Sequence, residues 1–249
     1  VPAPVLLFLP AHDEAEVVAS VIARVPATVA GHPVRCLVVD DGSTDDTATV
    51  ARSAGAEVRR SEANRGLGAA VRDGLQFGVS IGAAAVVFCD ADGEYAPEEL
   101  EALVAPILAG EADYVIGSRF AHGWPRTMRP HRMVGNRLLT LWVRRLTGLC
   151  VTDGQSGYRA LSAAAASAAE VIHDFNYAQV LTLDLLAKGF RYAEVPISYR
   201  FRTTGQSFVK LIPYLRAVIP AVRSERCSSA AAAPRAGHSA QPQLVDAAY

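Results

Sequence analysis

The chain has 249 residues, 51% of them hydrophobic, with 24 Lys and Arg against 25 Asp and Glu and a formal net charge of −1. That is enough apolar material for one large α/β core, and the near-neutral balance excludes the basic field of a nucleic-acid-binding protein. Its four cysteines, Cys36, Cys89, Cys150 and Cys227, include no Cys-x-x-Cys pair. A zinc ribbon and a disulfide scaffold are thereby excluded, and reduced thiols in a cytoplasmic protein are expected.

In chain order, Val5 to Leu9 is an apolar run that ends in Pro10-Ala11-His12-Asp13-Glu14. From Glu16 to Val25, apolar residues fall at Val17, Val18, Val21, Ile22 and Val25, which is helical spacing. Cys36-Leu37-Val38-Val39 reads as a second buried strand, closed by Asp40-Asp41-Gly42-Ser43-Thr44-Asp45. Ser43 or Thr44 is the expected N-cap of a helix over Thr47 to Ala54. A third strand, Ala85 to Cys89, ends in Asp90-Ala91-Asp92. Strand–loop–helix units of this kind predict an α/β fold with a mostly parallel sheet. The polar loops then gather at one sheet edge, where open α/β sheets hold their ligands.

Side chains at i and i+2 point the same way in an extended chain. Asp90 and Asp92 thus offer two hard oxygen ligands, which suit Mg²⁺ or Mn²⁺ held together with substrate phosphates. Asp41 precedes a glycine and reads either as a turn residue or as a ligand group. Asp40 beside it can take the turn role. Arg119 follows a strand over Asp113 to Gly117, and Arg202 follows one ending at Ser198-Tyr199. Arg129 and Arg132 sit in a loop rich in Pro, Gly and His. Arginine forks bind phosphate in two-point fashion.

Taken together, the motifs resemble family 2 glycosyltransferases. Pro10-Ala11-His12-Asp13-Glu14 is similar to the family's "PAYNE" opening, with His12 in place of an aromatic Tyr. Val39-Asp40-Asp41-Gly42-Ser43-Thr44-Asp45 is similar to "VDDGSTD", and Asn64-Arg65-Gly66-Leu67-Gly68-Ala69-Ala70 to "NxGxGxA". Asp90-Ala91-Asp92 stands at the metal motif. Gly117-Ser118-Arg119-Phe120, Asp153-Gly154-Gln155-Ser156-Gly157-Tyr158-Arg159 and Glu194-Val195-Pro196-Ile197 also match. The branch that resembles this chain most is the dolichol- or polyprenyl-phosphate mannose synthases, over roughly residues 5 to 222.

The resemblance implies a GT-A fold, a mostly parallel twisted sheet with helices on both faces. It also implies inverting transfer of a hexose from a nucleotide-diphosphate sugar, GDP-mannose or a UDP-sugar, to a polyprenyl phosphate. Asp92 is then the first metal ligand, Asp90 binds ribose or the metal's shell, and Glu94 is a candidate third ligand. Asp41 reads the base, and Pro10, His12 and Glu14 line the same loop. Arg65 approaches the nucleotide, and Gln155 touches a donor or acceptor phosphate. Arg119, Arg202 and one of Arg129 or Arg132 hold the lipid phosphate. Asp153 is the candidate base for a hydroxyl acceptor or, alternatively, a loop brace.

The expected layout is a catalytic domain over 1–207, an amphipathic helical segment over 208–227 and a disordered tail over 228–249. No apolar run has the length of a membrane span, and no signal peptide is visible. The segment from Phe208 to Arg223 mixes apolar residues with Lys210, Arg216 and Arg223. It reads equally as an interfacial helix on an anionic bilayer or as a helix packed back on the domain. A protein peripheral to the inner face of the membrane is the expectation, alone, as a homo-oligomer or with a separate membrane subunit. Three other readings compete: a soluble GT-A enzyme acting on a hydroxyl, a non-enzymatic nucleotide-binding module, and a nucleotidyltransferase. The intact Asp90-Ala91-Asp92 argues against the second. The third wants a Gly-rich basic loop after the first strand, and Pro10 to Glu14 is not one.

Overall fold

A computed structural model describes residues 2–121, 151–171 and 178–200, with positions 136–138, 140, 141, 144, 145 and 148. Arg129, Arg132, Arg202 and everything from 201 onward, the expected amphipathic segment and tail included, lie outside the described residues.

Strands are β1 (Val5–Ala11), β2 (Thr28–Val29), β3 (His32–Asp40), β4 (Glu57–Arg60), β5 (Ala85–Phe88), β6 (Tyr114–Ser118), β7 (Arg159–Ser162) and β8 (Tyr192–Pro196). Helices are α1 (Val18–Ile22), α2 (Thr47–Ser53), α3 (Leu67–Ser80), α4 (Leu100–Leu108), α5 (Ala163–Ala168) and α6 (Ala178–Ala187). The sheet runs β3-β1-β5-β7-β6-β8, with β4 on the outer side of β3 and the short β2 folded back on it. Pairs β4·β3, β3·β1, β1·β5 and β6·β8 are parallel, and only β7, between β5 and β6, runs against them within this path. The expected mostly parallel sheet is the one observed.

Strand β1 is buried along its whole length, as a central parallel strand must be. Val5, Leu7 and Leu9 face one apolar cluster with α1 and α4, while Leu6 and Phe8 face a second with α3, α5 and α6. Period-2 alternation thus feeds both faces of the sheet, and helices cover both. The chain winds outward from β1 through α1 to β3 and through α2 to β4. Helix α3 then carries it back to place β5 on the other side of β1. That reversal opens a crevice at the carboxyl ends of β3, β1 and β5.

The antiparallel β7 completes the edge. Phe88 pairs with Arg159, and Ile116 also pairs with Arg159. The segment just before β7 therefore arrives where β5 and β6 leave. Helix α2 begins after Asp46, which makes no side-chain cap. Ser43 and Thr44 are instead engaged by Asp13, so neither serves as the expected cap. Cys36 and Cys89 are free thiols. Burial pushes Cys36 up to about 12, which keeps it protonated at neutral pH.

Helix α3 lies close on β1 because Gly74 faces Phe8; a Cβ there would overlap the ring. An alanine would raise helix propensity yet overpack this contact. Gly74→Ala is therefore expected to lower stability by about 1–3 kcal/mol in urea unfolding. Equal or greater stability would show that α3 has room to move outward.

Candidate active site

The first two loops at the edge are fastened to each other. Asp13 has a φ of 54°, a left-handed conformation that Asp tolerates. Its amide donates to Ser43 Oγ at 3.0 Å, and its Oδ1 accepts from the Thr44 amide at 2.7 Å. The Glu14 amide donates to Thr47 Oγ1 at 2.8 Å, and the Ala15 amide to Asp45 Oδ2 at 3.1 Å. The Thr44 amide holds the Asp13 carboxyl below the usual carboxylate range. Pro10 is buried within β1, opposite Val39. His12 is half-buried with Nε2 at 3.5 Å from Asp13, and Glu14 is half-buried beside it.

Asp40 takes the turn role expected of it. Its Oδ1 accepts from the Ser43 amide at 2.8 Å, and its Oδ2 stands 3.4 Å from Arg60 Nε. Asp41 is a brace as well. It accepts the Arg65 amide at 2.9 Å and the Gly66 amide at 2.7 Å, one on each oxygen. The loop it holds runs so near the turn that a Cβ on Gly42 would overlap Ala63, and Gly42 has a φ of 70°. Arg65 reaches this edge by its amide. Its guanidinium pairs with Asp73 and Ser61 Oγ, in an open cleft of about 600 Å³ also lined by Arg59 and Arg60.

Beyond β5, three acids follow within five residues. Asp90 is partly covered, Asp92 is half-buried and accepts the Glu94 amide at 3.0 Å, and Glu94 is buried. Burial, then the charges of Asp92 and Glu94, push the Asp90 carboxyl up to about 7; Arg119 and Arg159 pull the other way. Among the described residues, no three His, Cys, Asp or Glu side chains form a ready cation cluster. Asp90 turns against Gly157, where a Cβ would collide with its Oδ2, and Asp92 curls onto its own loop. A three-carboxylate ligand set of Asp90, Asp92 and Glu94 is therefore not assembled. The crowded negative charge still fits a divalent cation whose remaining ligands come from donor phosphates.

The third part of the site is a buried ion pair. Arg119 Nε and Nη2 donate to Asp153 Oδ2 and Oδ1 at 2.6 and 2.9 Å, and the Arg119 amide adds a third bond at 3.1 Å. Asp153 is 0% exposed and also accepts from Asn136 Nδ2 at 3.0 Å and from the Gln155 amide at 3.2 Å. Burial alone would raise its carboxyl, but Arg119 outweighs that and holds it below the ordinary range. A carboxylate so held is a brace, and a poor proton acceptor. The Arg119 fork, expected to grip a lipid phosphate, closes on Asp153 instead. Its guanidinium also lies over Tyr199 at 5.4 Å and Tyr95 at 5.9 Å. Gln155 is half-buried on the same loop.

Two supporting residues carried no role in the sequence. Glu194 accepts the Thr152 amide at 2.8 Å and the Asp153 amide at 3.4 Å, which sets the height of the loop bearing Asp153. Arg159, fully buried, donates to Ser156 O at 2.7 Å, Gly154 O at 3.0 Å and Ala178 O at 2.6 Å. An arginine opening a buried strand was the available signal, since such a charge is retained only with a full set of acceptors.

The chain matches the family model described as Glycosyl transferase family 2 over residues 7–164. It belongs to glycosyl transferase family 2. It is similar to the polyprenol monophosphomannose synthase of Mycolicibacterium smegmatis, with 33% identity over 223 residues, 81% of this chain and 79% of that one. It is similar also to the undecaprenyl-phosphate mannosyltransferase of Micrococcus luteus, with 32% identity over 217 residues, 82% of this chain and 86% of that one. Among solved structures, it resembles glucosyl-3-phosphoglycerate synthase from Mycobacterium tuberculosis in complex with Mg²⁺ and uridine-diphosphate. The TM-score is 0.67 at 26% identity, covering 94% of this chain and 82% of that one. The GT-A architecture expected of a family 2 member is the one this glycosyltransferase has.

Removing half of a buried ion pair costs about 3–5 kcal/mol, because the remaining charge is stranded. Asp153→Asn should lower stability by about that much in chemical denaturation. The wild-type contribution has a definite pH window. A depressed folded pKa gives stability that is present above the unfolded value of about 3.9 and lost as pH falls below it. The gap between wild type and Asp153→Asn should hence narrow in acid. A variant as stable as wild type that merely lost activity would restore Asp153 as a base.

Proposed function

We propose that this glycosyltransferase moves a hexose from a nucleoside-diphosphate sugar to a polyprenyl phosphate, with inversion at the anomeric carbon. What carries the reading is the likeness of about four fifths of the chain to two enzymes named for mannosyl transfer onto polyprenyl-type phosphates. A dolichyl-phosphate N-acetylglucosaminyltransferase of Methanococcus voltae, 29% identical, supports the same acceptor class.

In this reading an acceptor phosphate oxygen bonds to the anomeric carbon, and the bond from that carbon to the donor's β-phosphate oxygen breaks. The nucleoside diphosphate leaves with the electron pair. A phosphate is already ionised near neutral pH, so no side chain has to remove a proton. That agrees with an Asp153 spent on Arg119. Asp41 and its bound 65–66 amides, with His12 and Glu14, frame the place for the base. Asp92, with Asp90 or Glu94, would hold Mg²⁺ or Mn²⁺, which when bound neutralises charge on the leaving diphosphate as a Lewis acid. The Mg²⁺ and Mn²⁺ complexes of the M. tuberculosis synthase support that choice of ions. Arg202 is the phosphate-holding arginine, in a protein that visits the membrane surface through residues 208–223. Among the described residues, no helix is long and apolar enough to cross a membrane.

The soluble-acceptor alternative has its own support, since that M. tuberculosis synthase is also solved with phosphoglyceric acid. One assay separates the two. A panel of GDP- and UDP-sugars is offered with polyprenyl phosphate in detergent or with small hydroxyl acceptors, with and without divalent ion. Transfer to polyprenyl phosphate that EDTA abolishes is the expected result. Efficient transfer to a small hydroxyl acceptor, with polyprenyl phosphate ignored, would overturn the proposal.

Two variants extend the test. Loss of the metal's charge stabilisation, worth several kcal/mol, should cut turnover on the order of a thousandfold in Asp92→Asn. Circular dichroism should show it folded. Arg202→Lys keeps the charge and loses the fork, so acceptor KM should rise while donor hydrolysis persists.

A further inference from the structure

Tyr95 is 2% exposed and stands three residues after Asp92. Its hydroxyl accepts the Gly157 amide at 2.8 Å. Gly157 is the residue against which the Asp90 carboxylate rests, with no room for a Cβ between them. The carbonyl of Tyr95 accepts Arg24 Nη2 at 2.6 Å, which ties the same residue to the end of α1. Its ring lies 5.9 Å from the Arg119 guanidinium and meets the Tyr199 ring edge-on at 6.3 Å. Tyr95 and Tyr199 also form an antiparallel bridge, and the Arg200 amide donates to Glu94 O at 2.8 Å.

These contacts converge on Tyr95 and its main chain from three parts of the site. The acidic loop after β5 carries Tyr95 itself. The loop before β7 hangs from its hydroxyl. The segment after β8, residues 197–200, lies along its backbone and ring. We propose that Tyr95 is a positioning residue that sets where the Asp90 carboxylate stands, through the Gly157 amide. The hydroxyl does this work, and the ring separately locates Arg119 and the 199–200 segment. Glycine at 157 follows from this arrangement, because any side chain would displace the carboxylate that Tyr95 and Gly157 together seat.

The proposal rests on the reading of Asp90 and Asp92 as the cation-binding and donor-binding acids, and it divides Tyr95 into two separable halves. Tyr95→Phe removes only the hydroxyl. Binding of Mn²⁺ with GDP or UDP, followed by electron paramagnetic resonance on the whole chain, should weaken roughly three- to tenfold, the size of one lost hydrogen bond. Acceptor KM should stay within twofold in the same variant. Tyr95→Leu removes the ring too, and should raise acceptor KM as well. Gly157→Ala should weaken Mn²⁺ binding at least as much as Tyr95→Phe.

Thermal unfolding of each metal-free variant checks that it is folded. Should Gly157→Ala fail to fold, Tyr95→Phe decides alone, since it keeps the ring and its packing. Mn²⁺–nucleotide binding unchanged in Tyr95→Phe would overturn the positioning role, whatever the acceptor proves to be. If wild type binds Mn²⁺–nucleotide but ignores polyprenyl phosphate, the acceptor assignment fails and the Tyr95 result still stands.

Discussion

Carboxylates gripping backbone amides are the interaction on which the rest of this site depends. Few of the described loop residues at the open edge pair with a strand, so many of their N–H groups need other acceptors. Asp13, Asp40, Asp41, Asp92, Asp153 and Glu194 each accept at least one main-chain amide. Most of the acidity at the strand ends is therefore architectural. What it builds is a rim along which Asp90, Asp92 and Glu94 crowd their charges. A charged acceptor forms a stronger hydrogen bond than a neutral one, which lets short loops hold still without packing a core of their own.

The sheet and the edge were legible because their signals are periodic and local. Uninterrupted apolar runs ending in acids named β1, β3 and β5, and these run parallel and buried as expected. Residue types alone could not say which acids face outward. Asp41 and Asp153 are held by amides or a guanidinium from residues 24 to 34 positions away, whereas the amide on Asp92 comes from its own loop. Arg119 shows the same limit from the other sign of charge. Its position after β6 was readable, and its partner was not, because Asp153 comes from the far side of an intervening segment. Long-range pairing of this kind leaves no spacing in the sequence.

Arg159 and Glu194 were hidden for a different reason. Both stand in matched motifs, but a motif match does not tell a buried charge from an exposed one. Both are in fact buried, Arg159 at 0% and Glu194 at 7% exposure. Burial is affordable for Arg159 because backbone carbonyls surround it, and for Glu194 because Thr152 and Tyr192 donate to it. Burial raises the Glu194 carboxyl all the same, so the bonds only partly offset desolvation. These two residues hold the loop before β7 by its main chain, and Asp90 rests against the same loop at Gly157.

The antiparallel course of β7 has a mechanical consequence. Because β7 lies between β5 and β6 and opposes both, the chain leaves β6 and re-enters β7 at the same rim. Arg119, just past β6, and Tyr158, just before β7, are thereby held by adjacent strands. The Arg119–Asp153 pair fastens the two ends to each other a second time, so a load on either end is shared by both strands.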